Sequence, residues 1–516
     1  MQRLPKIGGV LIAALLPLHS FAACNAATAS ISGFPPCDAL IQAGFGDRLL
    51  FPTSPEYQPR LASYFALNSQ LHPWCIVQPQ DKKDVAKVMT TLFKAGRGAG
   101  DWHIAVRAGG HNLFHTNNID TGVTIDLVNM NETTYDTGTN LASIEPGAKW
   151  LNVYEKLHEH GVVVTGGRDG TVGVGGFLLG GGLTYYMGQQ GLACDNIKNF
   201  EVVLTNGTVV DANAEQNSDL WKALKGGGSN FGIVTRFDME ALPDKDLAYG
   251  LRIMPANYTS EFLDAVVYFT DHYQEFNTDA LVPFLMHEPD LPVDFVLAAI
   301  QVNTEGDQNS TGLSKIAQIP QISSAQPDET NLLPLVKVAN SSTIFPPGWI
   351  GQSTVTFKND RRILARATEL YEQYVHNLTQ AVGADNFTTL IFYQPFPSLI
   401  GDISGQKGGN MLGLDDQTDN AILWTGFVSV SSGPSGLALA QLWMSVMVTE
   451  LKSYAASLGD GDRLVYMNYA DPSQDPISSY GKTNIDHIRR VAAEYDPAGL
   501  FQMRVPGGFK ISRVDV

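Results

Sequence analysis

Missing from this 516-residue chain are the usual signatures of nucleotide, hydrolase and metal chemistry: no G-x-G-x-x-G, G-x-x-x-x-G-K-[ST], G-x-S-x-G or H-E-x-x-H occurs. Their absence removes the support for a Rossmann site, a P-loop, a hydrolase nucleophile elbow and a zinc protease. Cysteine is scarce. The four present, Cys24, Cys37, Cys75 and Cys194, form no C-x-x-C pair, which argues against a zinc site or a dithiol redox motif. Basic residues are outnumbered 34 to 52, for a net charge of −18, so nucleic acid and anionic membrane surfaces are poor partners. Beyond the N-terminus no apolar run is long enough for a membrane anchor.

What is present begins with Arg3 and Lys6 ahead of an apolar run, Ile7 to Leu18, and the small-residue stretch Ser20-Phe21-Ala22-Ala23. That order predicts a secretory signal peptide over residues 1–23. Seven N-x-S/T sequons, at Asn131, Asn206, Asn257, Asn309, Asn340, Asn377 and Asn386, fit a glycosylating secretory route and an extracellular protein. In that oxidising setting Cys37 pairs with Cys75, and Cys194 is a buried thiol.

With 44% hydrophobic and 17% charged residues, the chain can bury a large core in two or three domains. Hydrophobic periodicity predicts a helix over 84–95, strands over 104–107, 123–127 and 142–145, and a helix over 150–160. Asn206-Gly207 predicts a hairpin turn between strands 200–205 and 208–211. A short helix over 217–225 and a strand over 231–242 follow. Composition then turns proline-rich, placing a domain boundary near residue 243. The section to about 460 mixes helices such as 361–379 with strands such as 421–431, which reads as an antiparallel sheet backed by helices.

Two glycine-rich turns carry the chemistry. One is Val106-Arg107-Ala108-Gly109-Gly110-His111-Asn112; the other lies within residues 166–191, of which 11 of 26 are glycine. Turns of this kind expose backbone N–H groups without side chains in the way, as a pyrophosphate requires. The second stretch is apolar enough to be buried yet too poor in side chains to fill a core, so something else must fill the space.

R-A-G-G-H-N, then G-G-R-D-G-T-V-G-V-G-G-F-L-L-G-G-G-L, then G-G-G-S-N-F-G-I-V-T resemble the vanillyl-alcohol-oxidase (PCMH) type of FAD-binding domain, and within it the berberine bridge enzyme-like oxidases of fungi. Y-M-N-Y-A-D (466–471), Y-G-K-T-N, Y-D-P-A-G-L-F and P-G-G-F-K (506–510) resemble that family's closing segment in the same order. The resemblance implies an α+β fold with a two-subdomain FAD-binding domain (71–242) and an N-terminal segment (24–70). A substrate domain (243–460) and a C-terminal segment (461–516) that returns to the FAD complete it.

The resemblance further implies a covalent bond from His111 to the flavin 8α-methyl group. A second link made by a cysteine in many relatives falls here on Asp169, which cannot form a thioether, so a single link is expected. Arg107, Ala108, Gly109, Gly110, Asn112, Thr171, Val172, Gly173, Gly175 and Gly176 should lie around the pyrophosphate. Gly228 to Ile233, including Gly228 and Ile233, should lie near the adenosine or the flavin edge. Tyr466 and Asn468 return to the isoalloxazine; Tyr466 either accepts a substrate proton or only packs there, with Tyr469 as the other candidate base. Tyr393, Gln394 and Asn410 are the expected substrate contacts, equally readable as core residues. No metal is expected.

The expected function is hydride transfer from a small-molecule substrate to FAD, with O2 reduced to hydrogen peroxide, by a monomer without nucleic acid or membrane partners. A secondary metabolite is the expected substrate; oxidation of an oligosaccharide at its anomeric carbon, or flavin binding without turnover, remain open.

Overall fold

A computed structural model describes residues 32–95, 101–114, 116–289, 291, 293–322, 330–341, 348–461 and 463–514. The predicted signal peptide and Cys24 lie outside them. Three larger sheets organise the chain, beside a two-stranded pair of Val162–Val163 with Leu242–Pro243. The first runs Leu49–Leu50, Cys75–Val77, Gly122–Asp126, His103–Arg107, its last three strands parallel. Lys82–Ala95 is the crossover helix between them, burying Val85, Val88, Met89, Leu92 and Phe93, an i, i+3, i+4, i+7 stripe. A disulfide joins Cys37 of the Pro35–Leu40 helix to Cys75, and Cys194 is a buried free thiol.

The second sheet is antiparallel: Thr133–Asp136, Leu141–Ile144, Ile233–Glu240, Ile197–Val203, Val209–Asn213. The Asn206-Gly207 turn closes its last hairpin, with Gly207 at φ +84°, a conformation that glycine adopts without strain. The strand predicted over 231–242 begins only at Ile233. Gly228, at φ +64°, and the close packing of Gly232 on Val202 and Val203 keep the preceding residues in a loop.

The third sheet has seven antiparallel strands, in the order Asn331–Leu333, Leu247–Met254, Val296–Asn303, Asp279–His287, Phe387–Phe396, Ala421–Val430, Trp349–Lys358. Helices Thr259–Asp271, Arg361–Val382 and Gly433–Ser457 back it. Arg361–Val382 starts where the Asp360 carboxylate accepts the Arg362 N–H (2.8 Å), an N-cap. It buries Ile363, Leu364, Ala367, Leu370, Tyr371, Tyr374, Val375 and Leu378, each such side chain contributing about 1.5–3 kcal/mol. Because strand neighbours point to opposite faces, one face of this sheet meets the helices and the other is left for a cavity.

Trp349–Lys358 is an edge strand, and side chains rather than a further strand satisfy its outer backbone. Asn68 bonds the Ile350 N–H (2.9 Å) and C=O (3.1 Å); Gln474 bonds the Thr354 N–H (3.1 Å) and C=O (2.7 Å); Asp460 accepts the Lys358 N–H (2.8 Å). The C-terminal segment continues to the first sheet, where the Arg504 C=O accepts the Ile104 N–H (2.7 Å). Among the described residues no helix is long and apolar enough to cross a membrane. All seven sequon asparagines are exposed.

Gln474→Ala removes both bonds to Thr354 and should lower the unfolding free energy by about 2 kcal/mol, read from urea denaturation midpoints. An unchanged midpoint would mean that the amide does not hold the edge.

Candidate functional site

A cavity of about 420 Å³ lies where the three sheets meet. Its floor is the turn after the His103–Arg107 strand together with the glycine-rich stretch, and the two touch backbone to backbone. A Cβ on Gly109 would lie 2.4 Å from the Gly173 Cα, and one on Gly173 would lie 2.5 Å from the Gly109 Cα. Gly110 sits at φ +74° directly on the Arg107 guanidinium, whose Nη2 would be 2.7 Å from an added Cβ. A side chain on Gly176, by contrast, would meet nothing within 4 Å, and Gly176 lines the cavity.

Of the expected cofactor contacts, Ala108, Gly109, Gly110, His111, Asn112, Val172, Gly173, Gly175, Gly176, Gly228, Ile233 and Asn468 all line this one cavity. Arg107 does not. Its guanidinium is buried over the Tyr64 ring (3.6 Å) and donates to the Arg60 C=O (2.9 Å) and the Ser63 hydroxyl (2.8 Å), so it braces the turn from beneath. Thr171 also turns away, its hydroxyl standing 3.3 Å from His111 Nε2 and donating to the Asp169 carboxylate (2.7 Å).

His111 stacks on Phe65, ring centroids 3.9 Å apart and 15° between planes. Burial, with the Lys149 charge acting in the same direction and the Asp169 carboxylate opposing, lowers its pKa to about 4. The imidazole is therefore uncharged at neutral pH, the state in which its nitrogen is a nucleophile.

Tyr466, the first-named candidate base, does not reach the cavity. It is 1% exposed, and its oxygen accepts hydrogen bonds from the Gly182 N–H (2.8 Å) and Asn468 Nδ2 (3.2 Å). Burial pushes its phenol far above the ordinary range, so it packs and holds Asn468. Tyr469 lines the cavity, edge-on to Tyr466 at 5.1 Å, and its hydroxyl takes an N–H from Arg168 Nη2 (3.2 Å). The same Nη2 donates to Gln394 Oε1 (2.6 Å).

Gln394 thus reaches the site, and its sequence neighbour Tyr393 cannot. Tyr393 points into the helix layer, where its hydroxyl pairs with Thr368 (2.8 Å), as strand alternation requires. Asn410 is also elsewhere, donating to the buried Asp195 carboxylate (3.0 Å) and the Ser404 hydroxyl (2.8 Å). The cavity ceiling comes instead from Val282, Ile300, Gln352, Phe392, Thr425 and Phe427. Cross-strand register explains the set: Val282 faces Ile300, Phe392 faces Thr425, and Gln352 faces Phe427. Arg168 and these ceiling residues escaped sequence reasoning. Period-two alternation anchored on Gln394 would have found Phe392, and an arginine between glycines was the signal for Arg168.

The residues present fit a dinucleotide cofactor. Bare peptide groups form the floor, and Arg168 and Asp169 are the only Lys, Arg, Asp or Glu residues in the lining. An FAD binding domain family matches residues 73–213. The chain is similar to the FAD-dependent monooxygenase drtC of Aspergillus calidoustus, 34% identical over 99% of this chain and 97% of that protein. It is also similar to the FAD-dependent monooxygenase sdcF of Emericella nidulans, 34% identical over 92% and 98%. Among solved structures, xylooligosaccharide oxidase of Myceliophthora thermophila shares the fold (TM-score 0.69, 22% identity, 93% and 100% covered), as does berberine bridge enzyme of Eschscholzia californica (0.69, 16%, 92% and 99%).

Gly109→Ala drives a methyl group into the Gly173 backbone and should cost at least about 1–3 kcal/mol. Thermal unfolding measures this, and Gly176→Ala, which meets open space, is the control expected to unfold near the wild-type temperature.

Proposed function

The chain belongs to a family of FAD-dependent oxidoreductases that includes the fungal FAD-dependent monooxygenases and has the berberine bridge enzyme fold, and on that premise we propose that it carries FAD on His111 and oxidises an apolar small molecule of secondary metabolism. The observation that carries this reading is His111, stacked on Phe65, on one wall of a cavity whose other wall offers Tyr469 bonded to Arg168. Bound flavin supplies the two-electron acceptor, which O2 then regenerates. Ala108 to Asn112 and Val172 to Gly176 would hold the dinucleotide through exposed peptide groups, with Gly228 and Ile233 at its far side.

The protein's own part is proton handling and positioning. Tyr469 Oη, as phenolate, takes the substrate proton and becomes the phenol, and the Arg168 N–H donated to that oxygen stabilises the phenolate before the transfer. Gln394 holds Arg168 in place, and Gln352 does the same for the Tyr469 segment by donating to the Asn468 C=O (3.1 Å). Phe392, Phe427, Val282 and Ile300 keep water from the reacting centre.

The ceiling of the cavity, where the sheet offers two glutamines and a threonine among apolar side chains, favours an apolar skeleton over an oligosaccharide, whose many hydroxyls would need more partners on that side. The names of the relatives favour a second reading of the oxygen chemistry, in which one oxygen atom enters the product instead of leaving as hydrogen peroxide. Stoichiometric peroxide supports the oxidase reading; label from 18O2 in the product supports the other. Bound flavin that no substrate reduces would mean a binding protein without turnover. The segment from Arg3 to Ala23 and the seven exposed sequons support secretion, and the protein is taken to act as a monomer.

Acid precipitation should leave yellow flavin in the wild-type pellet and release it from His111→Ala; colour in the wild-type supernatant would refute the link. Attachment after mixing flavin-free protein with FAD should change by less than about twofold between pH 7 and 5. A histidine of ordinary pKa would lose about twentyfold of its neutral form over that range, so a steep fall would mean His111 is not held neutral. Tyr469→Phe should slow substrate-driven flavin reduction by about a hundredfold or more in stopped-flow traces, with Tyr466→Phe close to wild type; the reverse order would restore Tyr466 as the base.

A further inference from the structure

Arg168 is bound only by neutral partners. Both of its hydrogen bonds leave from Nη2, to Gln394 Oε1 (2.6 Å) and the Tyr469 hydroxyl (3.2 Å). No carboxylate among the described residues forms an ion pair with it, and Nε and Nη1 have no partner among them. The other formal charge in the lining, Asp169, is engaged by Thr171, one of its oxygens accepting both the Thr171 N–H (2.8 Å) and hydroxyl (2.7 Å). A half-buried cation whose partners are one amide and one phenol, with no ion pair among the described residues, is a binding site for an anionic oxygen.

A second observation lies on the ceiling. Thr425 is 4% exposed and lines the cavity, yet its hydroxyl has no hydrogen-bond partner. A buried hydroxyl left unpaired is costly, and a polar atom of a bound molecule would satisfy it. Phe392 stands opposite Thr425 across the strands, so the polar group sits beside an aromatic wall.

We propose that the substrate carries an acidic oxygen, as carboxylate, phenol or enol, on an aromatic or otherwise apolar skeleton: the oxygen docks on Arg168 and the skeleton lies against Phe392 and Phe427, within reach of the Thr425 hydroxyl. This rests on the reading of the cavity as the substrate site. Arg168 is then a specificity-determining residue as well as the partner of Tyr469, and it discriminates acidic compounds from neutral compounds of the same shape.

Calorimetric titration of the flavin-loaded enzyme with 2-naphthoate, 2-naphthol and 2-naphthamide at pH 8 tests this. One of the two acids should bind at least about tenfold more tightly than the amide, as expected for a charge-assisted contact, and which acid wins identifies carboxylate or phenol as the source. Arg168→Met should erase that preference by weakening the favoured acid, so that it and the amide bind within about twofold of each other. If Arg168→Met does not fold, Arg168→Lys, which keeps the charge but loses the planar fork, should weaken the favoured acid at least about fivefold. Equal affinities for all three probes, or a preference that survives in the variant, would overturn the proposal while leaving the substrate site in place. Failure of all three to bind would overturn the site reading with it.

Discussion

The site depends on the contact between Gly109 and Gly173, where two chain segments meet with no side chain between them. This contact fixes the distance between the turn that presents His111 and the stretch that contributes Val172, Gly175 and Gly176. Arg107 serves the same contact from below, its charge absorbed by the Tyr64 ring, the Arg60 carbonyl and the Ser63 hydroxyl. A site built this way is stiff before any ligand arrives, which lowers the cost of ordering it on binding.

Above the floor, the seven-stranded sheet divides its labour by face. Tyr393 and Trp424, paired across the strands, are buried on the helix-covered side, while Gln352, Phe392, Gln394, Thr425 and Phe427 look into the cavity. Substitution on one face can alter what the cavity accepts without disturbing the packing that holds the sheet, because strand alternation separates the two sets of side chains.

Much of the fold was legible in the sequence because local signals agreed with it. The helix over 82–95, the Asn206-Gly207 hairpin and the antiparallel sheet backed by helices all follow from periodicity and turn chemistry. The glycine turns were legible for the same reason, since glycine clusters mark backbone that something must approach, whereas His111 stood out only through the family resemblance. Tyr466 and Asn410 stayed open between site and packing because burial and hydrogen bonding across more than 200 residues decide their surroundings: Tyr466 meets Gly182, and Asn410 meets Asp195. No local pattern reports contacts of that separation. Arg168 was visible as a residue type but not as a neighbour of Gln394 and Tyr469, which are brought to it only by the folded sheet and the closing segment.

The outer edge of the Trp349–Lys358 strand is satisfied by side chains from three distant places, Asn68, Asp460 and Gln474. An exposed strand edge is a template for pairing with another chain, and amide and carboxylate groups occupy this one without offering a new edge of their own. During synthesis the strand leaves the ribosome about a hundred residues before Asp460 and Gln474 do. For that interval the growing chain displays an open, hydrogen-bond-hungry border, which closes only as its final tenth is made.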